Sequence, residues 1–213
     1  MDFRNTFSYH SAVALISVLL TLLLYFTGTG FGRAVAGIAF FLLFLTLIVG
    51  PVMRLWKPAV EALPWNLPWS WRSELGIWFT IFSVAHMLLV FDSRYWDVAG
   101  YLAGMRLSDL VAFVAIFWAL VLTASSFSSI IKFLGLSAWR WLHSLAYVIF
   151  YLVGAHVINH AFLRAERPLD WLHWAYLLMI IVVILLQSAA FVETVMNYRR
   201  TVVQQNHGEQ SKQ

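Results

Sequence analysis

The side chains best suited to chemistry are four histidines. His143, His156 and His160 fall within residues 139–160, WRWLHSLAYVIFYLVGAHVINH, and His86 lies in a separate apolar stretch. Segment 139–160 is apolar enough to lie in a bilayer. A polar ring there is costly and by default marks a functional site. Histidine is also the commonest protein ligand for metals and for haem iron. The pattern therefore points first to imidazole ligation of a metal or haem inside a membrane.

Composition says which elements must hold these residues. Of 213 residues, 62% are hydrophobic and only 11% charged, against about 25% charged in soluble domains. Six apolar segments are expected, at about 11–27, 34–53, 74–91, 107–127, 138–162 and 171–196. Each is long enough for a hydrocarbon core of about 30 Å. The fold class is thus an all-α integral membrane protein, a six-transmembrane-helix bundle over residues 1–197 with a polar cytoplasmic tail at 198–213. Gly50-Pro51 should kink or end the second helix, and the tail should lack structure at its end. Residues 54–72, rich in Trp and Pro, read as an interfacial loop. The first apolar run has neither a strongly basic leader nor a clear cleavage site, so it reads as a retained span.

An even number of spans puts both termini on one side. Nine Lys and Arg residues fall on that side and five on the other, which favours cytoplasmic termini in an inner membrane. A net charge of +4 distributed this way speaks for lipid contact and not for nucleic acid. The absence of cysteine excludes thiolate clusters and covalent haem attachment, so a haem must be held non-covalently.

In this topology the third and fifth helices run the same way. His86 lies about 12 residues along the third and His156 about 16 along the fifth, a difference in depth of only about 6 Å. That depth match suits a bis-histidine haem site between helices 3 and 5, with Ala85, Gly154 and Ala155 giving the macrocycle room. His143 lies about 20 Å away along the helix, where a second haem could stack. Its partner on the third helix would be Arg72. Thirteen residues at 100° leave His143 and His156 about 140° apart on an ideal helix, which counts against a shared face. Arg140 reads either as an interfacial anchor or as a haem-propionate partner. His160 and His173 read as helix–helix hydrogen-bonding residues, and His10 and His207 as solvated.

Two strings carry a family resemblance. WRSELGIWFTIFSVAHMLL at 71–89 and TASSFSSIIKFLGLSAWRWLHSLAYVIFYLVGAH at 123–156 resemble the basic-residue, Gly-x-Trp, His and Trp-x-x-Leu-His segments of the ferric-reductase-like transmembrane domain family. Within it the chain is similar to the MsrQ haem-binding membrane subunits of the methionine sulfoxide reductase system. The resemblance implies haem b ligated by His86, His143 and His156, with Arg72 contributing near His143, and one haem or two. Related oxidases carry a second histidine on the third helix that this chain lacks. Flavin (FMN) is a further cofactor option for which no residue pattern speaks. The expected function is electron transfer from a separate cytoplasmic flavin reductase or a quinol to an outer-face acceptor, a soluble periplasmic reductase for instance. A stand-alone ferric or oxygen reductase is one alternative; a histidine-based proton-coupled transporter is another, disfavoured by the lack of acidic residues at mid-span.

Overall fold

A computed structural model describes residues 3–56, 67–164 and 168–210, with side chains omitted at 3–8, 67–71 and 201–210. The described residues are helical with no strand, and six helices are long and apolar enough to cross a membrane. The first span is α1 (Phe3–Phe26). The second is α2 (Phe31–Leu55), and the third is α3 (Leu67–Asp92). A short α4 (Val98–Ala103) precedes the fourth span, α5 (Leu107–Ser125). Then α6 (Ser128–Leu134) leads to a broken fifth span. This comprises α7 (Leu136–His143), α8 (Ala146–Ile158) and a π-helical turn, Asn159–Leu163. The sixth span is α9 (Trp171–Gln210).

The core forms around α2, which packs against α1, α3, α8 and α9. Its central residue is Phe40, 2% exposed, stacked on Phe150 of α8 at 5.8 Å and edge-on to Tyr176 of α9 at 5.6 Å. Gly37 lets α9 come close: a Cβ there would lie 3.0 Å from the Tyr176 hydroxyl oxygen. Small residues at such crossings, with van der Waals packing, hold membrane helices together where lipid removes the hydrophobic drive. Leu15, Leu23, Phe117, Leu178 and Leu185 point outward and exposed, as a lipid-facing surface requires. Between α3 and α5, Thr123 Oγ1 donates to Thr80 Oγ1 at 2.9 Å, a polar bond that water cannot contest in lipid.

Turn chemistry follows the glycines. Gly28, at φ +90°, ends α1 with the Thr29 amide bonded back to the Leu24 carbonyl, closing the helix in the Schellman manner. Gly135 separates α6 from α7 at φ 76°, ψ 154°, a region open essentially to glycine alone. Gly135→Ala should therefore cost about 1–3 kcal/mol. It should lower the melting temperature of the detergent-solubilised protein and disturb the packing of Trp139 and His143 that follow. An unchanged melting curve would contradict the strain argument.

Several boundaries differ from those expected. Helix α2 does not end at Gly50-Pro51 but runs on to Leu55, where the Trp56 amide bonds the Val52 carbonyl; losing one proline donor leaves the remaining turns intact. The last part of the 54–72 segment is already helical from Leu67, and 57–66 lie outside the described residues. The tail is helical as far as Gln210. Few helix breakers follow Met196, and a helix already nucleated by a packed span propagates at little cost. Nothing is described for 211–213.

Candidate functional site

The element order brings one end of the bundle together, the end opposite the termini. There the start of α2, the end of α3, the start of α5, the end of the fifth span and the start of α9 surround a cavity of about 700 Å³. That volume lies within the range of small-molecule and cofactor sites, about 300–1,000 Å³. Each helix contributes one stripe at helical spacing: Phe79, Ser83, His86 and Val90 from α3; Val153, His156, Val157 and His160 from the fifth span; Asp109, Ala112 and Ile116 from α5.

His86 and His156 thus line one cavity, within electrostatic range of each other. Each ring is fixed the same way. His86 Nδ1 lies 3.1 Å from the Gly32 carbonyl on the first turn of α2, and His156 Nδ1 lies 2.9 Å from the Ser108 carbonyl on the first turn of α5. A carbonyl can only accept, so each Nδ1 carries the proton and each Nε2 keeps a lone pair. Protein histidines that bind metals are usually oriented by this kind of bond.

The small residues expected beside the histidines do not line this cavity. Gly154 faces Ile180 of α9 instead, and Ala155 is exposed. The fifth span turns residues 153, 156, 157 and 160 inward, which leaves 154 and 155 off that face. Room comes from Ala36 and Ala39 of α2 and Ala112 of α5.

His143 lies elsewhere, near the end that carries the termini. Its Nε2 is 3.1 Å from the buried Ser125 hydroxyl, and its ring packs on Trp139 at 4.3 Å. Arg72 is within electrostatic range of it. The Arg72 guanidinium reaches Gly50 of α2, beside the Tyr147 hydroxyl. Although far apart along the fifth span, His143 and His156 both bond to α5, at Ser125 and Ser108 respectively. The break between α7 and α8 accounts for this. Ser144, Leu145 and Tyr147 make bonds to the third residue back, and such tightened turns advance about 120° per residue. That shifts the phase an ideal helix would give. Arg140 is exposed and does not line the cavity.

Asp109, Arg33 and Asp170, which carry no functional reading from sequence, meet His160 and His173 at this end. His160 Nε2 pairs with Asp109 Oδ1 at 2.9 Å, and its ring lies 4.5 Å from that of His156. Asp109, His156 and His160 present ligand atoms all within 4.8 Å of one another. Arg33 makes a two-bond clamp on Asp170, at 2.6 and 2.8 Å. The buried His173 joins it, with Nδ1 2.7 Å from Asp170 Oδ1 and 3.1 Å from Arg33 Nη2. His160 and His173 therefore make the interhelical bonds expected of them, and both also line the cavity. Arg94, Arg106 and Arg164 complete its mouth. Arg94 packs over the Tyr101 ring at 4.9 Å. Burial, then the neighbouring Asp109, pushes the Tyr101 phenol up, keeping it a donor.

The Arg33 guanidinium holds the Asp170 carboxyl well below the usual carboxylate range, with His173 adding to the effect. A carboxyl whose pKa falls on folding contributes its full stabilisation above the unfolded value, about 4, and loses it only as pH drops through the lower folded value. The difference in melting temperature between wild type and Asp170→Asn should therefore stay constant from about pH 7 to about pH 4 and shrink below. A gap already closing near pH 6 would argue against the clamp.

No family model matches the chain, and no curated protein is significantly similar to it.

Proposed function

We propose that the chain is a membrane b-type cytochrome holding one haem between His86 and His156 and passing electrons across the bilayer. One observation carries this reading: two imidazoles from different spans line a single cavity, each tied at Nδ1 to a neighbouring helix's carbonyl, which leaves Nε2 as the nitrogen available to a metal. The donor chemistry and the cavity volume suit the group. Bound haem would supply a one-electron iron couple, with a potential tuned by its ligands and burial.

The chain's own residues do the rest. The carbonyls of Gly32 and Ser108 orient the imidazoles and raise their basicity. Phe40, Phe79 and Val153 supply the apolar wall. The Arg33–Asp170 clamp ties α2 to α9 at the same end. The local sequence likeness to the MsrQ subunits supports the same reading. By the charge bias both termini face the cytoplasm, which puts this cavity near the outer face of the inner membrane. Electrons would then arrive from a cytoplasmic flavin reductase or a quinol and leave to an outer-face acceptor such as a periplasmic methionine sulfoxide reductase. One haem is proposed, since His143 Nε2 is engaged by Ser125.

The test is the absorption spectrum of protein purified from haem-replete cells. Reduction should bring up b-type bands, and extraction should count one haem per chain. Colourless protein would end the proposal. A second reading rests on Asp109, His156 and His160: two imidazoles and a carboxylate suit a first-row transition-metal ion. Metal content without haem would favour it.

A further inference from the structure

Four arginines at the end of the bundle opposite the termini, Arg33, Arg94, Arg106 and Arg164, line the cavity. They come from four separate stretches of chain, so no local sequence run explains their meeting. Arg33 is taken up by Asp170. Among the described residues, Arg94, Arg106 and Arg164 have no carboxylate partner. Arg164 Nη1 is buried without any hydrogen-bond acceptor. An unmet charged donor of this kind carries a substantial desolvation cost. Among the described residues, the only acidic one of the lining is Asp109, already paired with His160. Among the described residues, counting Asp109 and Asp170 against the four arginines leaves a surplus of two positive charges.

We propose that Arg164, Arg106 and Arg94 form a site for a pair of carboxylates at the cavity mouth. Guanidinium forks match carboxylates in geometry and charge, and two carboxylates would balance the surplus. One source is the two propionates of a haem held by His86 and His156, which would orient the macrocycle with its acidic edge toward the mouth; this source rests on the function proposed above. The other is a free polycarboxylate, such as a citrate-type chelate docking from solution. The arginine site itself does not depend on haem.

The test uses full-length protein in detergent, produced without haem. Protohaem and its dimethyl ester are titrated by absorption, and citrate binding is measured by calorimetry. The propionate source predicts that protohaem binds about tenfold or more tighter than the ester. Arg164→Met and the exposed-site Arg106→Met should each close that gap without moving the bis-imidazole bands, and Arg164→Lys should restore part of it. The free-ligand source predicts equal binding of acid and ester, with citrate bound by wild type and lost in Arg164→Met. Equal binding of both porphyrins with no citrate binding would overturn the proposal. Failure to take up either porphyrin would remove the cytochrome reading, while the citrate titration on the same sample would still decide the arginine site.

Discussion

On the proposed function, replacing either His86 or His156 by alanine should abolish the haem absorption of the purified protein, whereas His143→Ala should leave it in place. Disturbing the outer hydrogen-bond partner of a metal-bound histidine typically costs about 10–100-fold in affinity; removing the ligand itself should cost more. The cause is direct. Each ring is held by one carbonyl, at 3.1 Å from Gly32 and 2.9 Å from Ser108, and no spare imidazole is fixed in the same way. His160 is the nearest substitute, but it is exposed and paired with Asp109. A folding defect must be separated from a lost ligand. His86→Gly with added free imidazole does this: the small molecule can occupy the vacated space and restore the low-spin spectrum. Retention of full haem by either alanine variant would show that the iron is held elsewhere, and loss of it in His143→Ala would move the site to the opposite end.

Gly37→Leu separates α2 from α9 and should be the most damaging single substitution in the core. Even a Cβ at this position lies 3.0 Å from the Tyr176 hydroxyl oxygen and 3.8 Å from Leu24 Cδ1. The further branches of leucine would enter the Phe40–Phe150–Tyr176 cluster, whose rings are buried. Overpacking of this kind costs about 1–3 kcal/mol, occasionally more. The damage should reach the cavity as well. The first turn of α2 supplies both the Gly32 carbonyl and Arg33, so a shifted α2 loosens the ring of His86 and the clamp on Asp170. A lower melting temperature with weaker haem retention is expected. Gly37→Ala should be milder, since Tyr176 can yield by a few tenths of an ångström. Wild-type melting of Gly37→Leu would contradict the packing described here.

The six spans were legible because lipid permits only one simple solution for a single apolar run, a helix that satisfies its own backbone. The shared depth of His86 and His156 was legible too, because it follows from counting residues along two co-directional helices. What could not be read were features that depend on departures from an ideal helix or on contacts between distant stretches. The phase of His143 relative to His156 depends on the tightened turn at Ser144–Leu145. The inward face of the fifth span cannot be assigned from a segment apolar on all sides, and the small residues that sequence offers beside the histidines, Ala85, Gly154 and Ala155, do not line the cavity. In the sequence Arg33, Arg106 and Arg164 are only loop charges. Their number on the disfavoured side was the available signal, but their convergence is a property of the bundle.

The last helix has a mechanical consequence. At 40 residues and 1.5 Å each, α9 is about 60 Å long, roughly twice the hydrocarbon thickness. Its apolar part, about residues 171–196, takes up about 39 Å of that length, so about 20 Å of stiff rod extends past the apolar stretch at the terminal side. Its base sits at the Asp170–His173 turn, against the cavity. A tilt of about 10° at that base would swing the far end by about 10 Å, so a fluorophore placed near Gln210 would act as a pointer whose needle reads small rearrangements at the far face.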